Sequence, residues 1–362
     1  PKIIYKMPVN SILLFFIFFV LVSCPVMGQD KQKKQLTTAD YALWHVMDNE
    51  TISNKGLWVS YSLRYHSGLD TLFVRRTTDK KTFSYPLGRN GEFCGEKWYA
   101  CINDKDLVQL TNLENGKMES FTEISEYEFS KNGKYLVLSS KKSATTNTLT
   151  IRNLSNGKDS VITNITGWRF NNDQSLLAYC VETSNGSEAK IVTMQDIDSR
   201  VAQLQFYGKI GTHIIWQKNN ASVVVVLKTL NASKEVNVLN AQLVQYRFAD
   251  KKLFELDTKK LETFSSNKRI EVNYTNDVGI SDDGKLIFFQ IVSDSITKNE
   301  EPVVEVWQGD DKLLQSEAKM YGNLDDMPKT VVWYPHIDSV FEFMTKETNV
   351  IFSGNMQFAL TY

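Results

Sequence analysis

The chain has 362 residues, 42% of them hydrophobic and 12% aromatic, with 41 Lys and Arg against 42 Asp and Glu. That apolar fraction excludes a disordered or collagen-like chain. The near-neutral balance argues against a dedicated nucleic-acid binder, which needs a clustered basic surface to displace counterions from phosphates.

Lys2 and Lys6 precede an apolar run over residues 12–22, and the small residue Gly28 stands before the polar segment that starts at Gln29. A basic start, a short apolar stretch and a small residue at the cut make residues 1–28 a secretory signal peptide. As a helix the apolar run spans only about 16 Å against about 30 Å of hydrocarbon, so no stable membrane span is expected. Two processing routes are open. Cleavage after Gly28 releases a soluble chain, whereas Leu21-Val22-Ser23-Cys24 resembles a bacterial lipobox that would lipidate Cys24. Pro25, directly after that cysteine, favours the soluble form. Either route places the protein outside the cytoplasm, periplasmic or extracellular. In an oxidising compartment Cys94 and Cys101 are the most plausible pair, while the odd count with Cys180 favours buried free thiols.

Residues 29–50 read as a lead-in segment, in which only residues 39–47 suggest a short helix. From residue 51 to 362 the sequence repeats itself. Clear copies are Ile52-Ser53-Asn54-Lys55-Gly56-Leu57-Trp58, Phe129-Ser130-Lys131-Asn132-Gly133-Lys134-Tyr135 and Ile280-Ser281-Asp282-Asp283-Gly284-Lys285-Leu286. Weaker copies start at Phe170-Asn171 and Trp216-Gln217, and a degenerate one at Phe93-Cys94. The second positions fall at 53, 94, 130, 171, 217 and 281, spaced by 41, 36, 41, 46 and 64 residues. In each copy an apolar residue ends one strand, a polar turn with Asn or Asp and Gly follows, and a β-branched or aromatic run begins the next.

A second hairpin signal follows in most copies, clearest in Leu149-Thr150-Ile151-Arg152 before Asn156-Gly157-Lys158 and in Leu107-Val108-Gln109-Leu110 before Asn115-Gly116-Lys117. Two hairpins per period of about 40 residues are the content of a four-stranded propeller blade. The expected fold is therefore all-β, a β-propeller of six or more such repeats over residues 51–362. Trp58, Trp98, Trp168, Trp216, Trp307 and Trp333 fall on or beside the strands and read as packing between blades. Residues 229–276 and 293–335 exceed the period and read as insertions or worn repeats.

No chemistry stands out in these residues. No serine sits in a Gly-x-Ser-x-Gly elbow, and His45, His66, His213 and His336 lack a recognisable serine and carboxylate partner. Gly208-Lys209-Ile210-Gly211 is too sparse for a phosphate loop, and Asp325-Asp326 lacks the oxygen-ligand spacing of a calcium loop. No catalytic, cofactor or metal residue is assigned. Seven Asn-x-Ser/Thr triplets occur, which a bacterial chain rich in Asn produces by chance.

Phe352-Ser353-Gly354 and the residues after it look like the opening of a further copy, so the propeller is expected to be incomplete at its C-terminus. The secretory start, Tyr41-Ala42-Leu43-Trp44, the Ile52-Ser53…Gly56…Trp58-Val59 copy and Val304-Glu305-Val306-Trp307 with Asp310-Asp311 together resemble the N-terminal propeller of secreted bacterial prolyl-oligopeptidase-like serine peptidases. The resemblance covers nearly the whole chain after residue 28. It implies a C-terminal α/β-hydrolase domain with a Ser-Asp-His triad, oligopeptide substrates, and a propeller that restricts admission and lacks activity alone. The same repeats also suit a non-enzymatic periplasmic propeller, TolB-like or WD40-like, acting as an interaction platform.

Overall fold

The structure, a computed structural model, describes residues 36–141, 147–230, 236–263, 268–272, 278–293, 329–342, 350–354 and 359–361. The signal segment, Trp307, the Asp310-Asp311 and Asp325-Asp326 pairs and residues 304–306 lie outside the described residues.

The chain folds as antiparallel sheets in series, the architecture of a β-propeller. Sheet 1 is the meander β1 (His45–Ile52), β2 (Trp58–Tyr65), β3 (Thr71–Arg76) and β4 (Thr82–Pro86). Sheet 2 repeats it with β5 (Arg89–Cys94), β6 (Trp98–Ile102), β7 (Val108–Asn112) and β8 (Met118–Phe121). Seven further strands are continuously paired: β9 (Ile124–Phe129), β10 (Tyr135–Lys141), β11 (Asn147–Asn153), β12 (Asp159–Phe170), β13 (Leu176–Thr183), β14 (Gly186–Thr193) and β15 (Asp196–Tyr207). They divide at β12. Its first half pairs β11 as the last strand of sheet 3, and its second half, past an irregularity between Ile165 and Gly167, pairs β13 as the first strand of sheet 4.

Sheet 5 comprises β16 (Lys209–Trp216), β17 (Ser222–Leu230), β18 (Val236–Arg247) and β19 (Lys252–Glu255). Sheet 6 comprises β20 (Lys268–Glu271) and β21 (Gly279–Ile280), both paired with β22 (Ile287–Ser293), then β23 (Lys329–Tyr334) and β24 (Ser339–Glu342). A final hairpin pairs β25 (Val350–Phe352) with β26 (Ala359–Thr361). The two long gaps in the repeat thus have different origins. Residues 229–276 hold the second half of sheet 5 and the start of sheet 6, whereas residues 294–328 connect two directly paired strands, β22 and β23.

Alternate residues of each strand serve opposite neighbours. Leu136 and Leu138 of β10 pack with Ala100 and Leu110 of sheet 2, while Val137 packs with Leu177 and Tyr179 of sheet 4. In β17, Val223 and Val225 face sheet 4 and Val224 and Val226 face sheet 6. A strand buried on both faces must be apolar at successive positions, which is why the second strands read as unbroken hydrophobic runs. Trp58, Trp98, Trp168, Trp216 and Trp333 all lie in these intersheet clusters, as their positions in the sequence lead one to expect.

One expectation is corrected. The short helix over residues 39–47 is a single 3-10 turn, Thr38–Leu43, held by Thr37 and Asp40. His45 already opens β1, because pairing with Tyr65 supplies the hydrogen bonds that local helix propensity would otherwise decide. The cysteines follow the favoured reading of free thiols, and Cys94 and Cys101 do not pair. Cys94 packs toward sheet 3 with Ala100 and Ile102, whereas Cys101 packs toward sheet 1 with Val74 and Tyr99, so the sheet itself separates them. Cys94, Cys101 and Cys180 are free thiols.

Candidate binding site at the converging first strands

The turns joining first to second strands in sheets 1, 3, 4, 5 and 6 share one construction. Ser53, Ser130, Asn171, Gln217 and Ser281 open them and are buried. The backbone N–H of each donates to the carbonyl five residues on at 2.9–3.0 Å. In four of the turns the same side chain accepts the N–H of that residue, as Tyr135 donates to Ser130 Oγ at 3.0 Å. The fourth residue takes positive φ, +66° at Gly133 and +70° at Gly284, where glycine carries no Cβ penalty. Sheet 2 departs from the pattern: its turn is one residue shorter, with Cys94 paired directly to Trp98.

Several of the turns are hydrogen-bonded to their successors. Ser53 Oγ donates to Glu96 Oε2 at 2.7 Å, Asn172 Nδ2 to Lys218 O at 2.9 Å, and Gln217 Nε2 to Asp282 O at 2.7 Å. These bonds tie the ends of the first strands into an arc. Close backbone approach does the same further along the strands: a Cβ on Gly167 would stand 2.4 Å from the Thr212 carbonyl oxygen. Thr166 Oγ1 donates to the Gly211 carbonyl oxygen across the same contact at 2.5 Å.

Where these strands converge there is a cavity of about 420 Å³. Arg169 and Asn172 come from sheet 4, residues 214–216 and Lys218 from sheet 5, residues 278–280 and Asp282 from sheet 6, and Gly354 from the turn after β25. Its wall is apolar at Ile214, Ile215 and Ile280 and charged at Arg169, Lys218 and Asp282, with Lys218 Nζ 3.5 Å from Asp282 Oδ2. No Ser, Thr, Cys or His is among the described residues lining it. The lining can therefore offer charge, hydrogen bonding and apolar contact to a ligand.

The position two residues before each turn-opening residue forms a column across the sheets: Thr51, Glu92, Glu128, Arg169, Ile215 and Gly279. The last three line the cavity. Gln174 Nε2 donates to Glu128 Oε1 at 2.8 Å. Burial, and secondarily the charge of Glu126, raise the Glu128 carboxyl above its ordinary range, against Gln174 and Arg169. Burial next to Glu128 pushes Glu92 up to about 7, partly offset by the Phe129 backbone. This column was open to view in the repeat alignment, but its residues share no chemistry, so no motif advertises it.

The four histidines are dispersed. His45 Nδ1 lies 2.9 Å from the Leu43 carbonyl oxygen, His66 follows β2, His213 Nδ1 contacts Thr212 Oγ1 at 3.0 Å, and His336 stacks near Phe254 with ring centroids 6.2 Å apart. Among the described residues no group of three or more His, Cys, Asp or Glu is arranged to hold a metal ion, and no helix is long and apolar enough to cross a membrane.

The fold defines the class: a β-propeller, with a cavity at its converging first strands. No protein-family model and no curated protein matches the chain. Among solved structures it is similar to the β-propeller domain of the Trilobed protease from Pyrococcus furiosus, at 8% identity over 85% of this chain and 87% of that one, TM-score 0.34. It is similar to a putative TolB from Agrobacterium tumefaciens at 10% identity over 59% of this chain and 81% of that one, TM-score 0.32. A prolyl endopeptidase structure matches at 10% identity over 85% of this chain and 52% of that one, TM-score 0.37. The propeller assignment stands on the sheets and their packing.

Proposed function

We propose that this propeller admits and holds oligopeptides for an exported serine peptidase of the prolyl-oligopeptidase type, whose covalent chemistry resides in a companion α/β-hydrolase domain. The cavity carries this reading. It offers Arg169 and Lys218 to carboxylates, Asp282 to amines and an apolar wall to side chains, with no serine, threonine or cysteine among its described lining residues. Such a lining suits a peptide, whose cleavage the companion domain would carry out. The secretory start and the repeat resemblance support the same conclusion.

The test uses the full-length protein with a fluorophosphonate probe and proline-containing oligopeptides. The expected result is labelling of a serine outside residues 36–361 and cleavage of oligopeptides but not of folded proteins. Arg169→Ala should raise KM for acidic peptides and leave labelling unchanged. Labelling of a serine within residues 36–361 overturns the proposal. So does a protein that takes no label and instead retains a protein partner, the behaviour of an interaction platform.

A further inference from the structure

We infer that a separate cavity, between sheets 2 and 3, is a binding site for a neutral saccharide. The inference is independent of any peptidase role.

This cavity has a volume of about 270 Å³ and is walled by Trp98, Leu110 and Asn112 of sheet 2 and by residues 152–157 of sheet 3. A comparison with sheet 1 explains why it is open. There Trp58 begins the second strand with Arg76 opposite, and the Arg76 guanidinium lies over the indole, 4.7 Å from the ring centroid. Trp58 is 2% exposed. In sheet 2 Trp98 begins the second strand in the same register, but Asn112 stands opposite. So short an amide cannot cover the ring, and Trp98 is only half-buried. Arg152, the guanidinium of the lining, lies instead over Phe121 and pairs with Glu119 and Asp159.

Asn112 and Asn153 hold the same place in successive sheets. The backbone N–H of each donates to the carbonyl five residues on, at 2.8 Å. The Oδ1 of Asn112 accepts the N–H groups of Glu114 and Asn115, and that of Asn153 accepts those of Ser155 and Asn156. With both oxygens held by the turns, the Nδ2 groups are the free ends of the two side chains. Neither they nor the Trp98 Nε1–H have a partner among the described residues.

Charge then narrows the ligand. Lys97 Nζ lies 3.5 Å from Glu114 Oε2, Lys117 Nζ lies 3.0 Å from Glu119 Oε1, and Arg152 is held by two carboxylates. Each cation is already matched by an acid, which leaves no surplus positive charge for a phosphate. What remains is a set of uncharged N–H donors, the Glu119 carboxylate as acceptor, and an indole beside Leu110 and Leu154. Hydroxyl groups donate and accept alike, and a sugar ring adds an apolar C–H face that an indole can pack against. The volume lies just below the usual range for ligand pockets, roughly 300–1,000 Å³, and suits a single sugar ring.

Titration calorimetry on the full-length protein tests this, with maltotriose, cellotriose, chitotriose and inorganic phosphate as probes. At least one trisaccharide should bind, and phosphate should not. Trp98→Phe keeps an aromatic ring in the packing and removes the indole N–H, and should weaken that binding about tenfold. Asn112→Arg sets a guanidinium opposite Trp98, as Arg76 stands opposite Trp58, and should abolish it while the denaturant midpoint stays near that of the parent. Failure of all three trisaccharides to bind overturns the inference, as does phosphate binding in their place. A trisaccharide held equally well by the parent and by Trp98→Phe also overturns it, and so does one whose binding is lost in Arg169→Ala, which would locate the sugar in the other cavity.

Discussion

Gln217 and Gly284 are in contact across the junction of sheets 5 and 6: a Cβ at Gly284 would stand 2.7 Å from Gln217 Oε1. Around this contact Gln217 Nε2 donates to Asp282 O at 2.7 Å, Ser222 Oγ donates to Gln217 Oε1 at 2.7 Å, and Gln245 Nε2 donates to both Ser222 Oγ and Gly284 O. It is a buried polar network in which each member is satisfied by the others.

Gly284→Ala should therefore destabilise the protein twice over. The φ of +70° costs an L-residue about 1–2 kcal/mol, and the added methyl displaces the Gln217 amide. Gln217→Ala should cost about 1–3 kcal/mol by taking the acceptor from the buried Ser222 hydroxyl and leaving the Asp282 carbonyl with Asn219 alone. Denaturant midpoints measure both, and the double variant should lose less than the sum because the two share one network.

The Glu92 carboxyl makes stability depend on pH in a defined direction. Its folded pKa of about 7 exceeds the ordinary glutamate value of about 4.3. Between those values the folded state holds a proton that the unfolded state has lost, so stability falls as pH rises and levels off above 7. Glu128, raised in the same sense, adds to the decline. Glu92→Gln should flatten this part of the curve, gaining on the order of 2 kcal/mol at pH 8 relative to pH 4. Parallel stability curves for the two proteins from pH 4 to 8 would refute the assignment.

Gly167→Ala places a methyl against the Thr212 carbonyl, which is backbone and cannot rotate away. The first strands of sheets 4 and 5 must separate, at a cost of about 1–3 kcal/mol. Amide exchange should quicken in β12 and β16 and stay unchanged in sheet 1.

The thiols should react in order of burial. Cys94 is half-buried, with its pKa pushed to about 11 by burial and then by the Glu92 charge. Burial pushes Cys101 and Cys180 to about 12. Native alkylation followed by mass spectrometry should find Cys94 modified first, and all three residues modified after unfolding without reductant. A Cys94–Cys101 disulfide peptide would contradict the placement of these side chains on opposite faces.

The repeat was legible because its turns demand particular chemistry. A side-chain oxygen at Ser130 or Ser281, an Asx residue two positions on and a glycine after that are each required by a specific bond or dihedral. The cavity was not legible for the opposite reason. Arg169, Ile215 and Gly279 come together through strand register and the stacking of separate sheets, and neither constrains residue type. Residues 39–47 misled because a local pattern favours helix, whereas the partner that makes His45–Ile52 a strand lies at the far end of a hairpin. Residues 229–276 hid ordinary blade strands because β18 is twelve residues long and its pairing with β17 shifts register between Lys228 and Thr229.

β12 gives the molecule an uneven mechanical character. A single extended strand belongs at one end to sheet 3 and at the other to sheet 4, so these two cannot swing apart without tearing a hydrogen-bonded ladder. Other junctions pass through turns, such as Leu87 and Gly88 between β4 and β5, or Gly208 between β15 and β16. Breathing of the propeller is thereby channelled away from its middle. Sheets 3 and 4 should act as a stiff keel, with any opening between sheets left to the blades on either side.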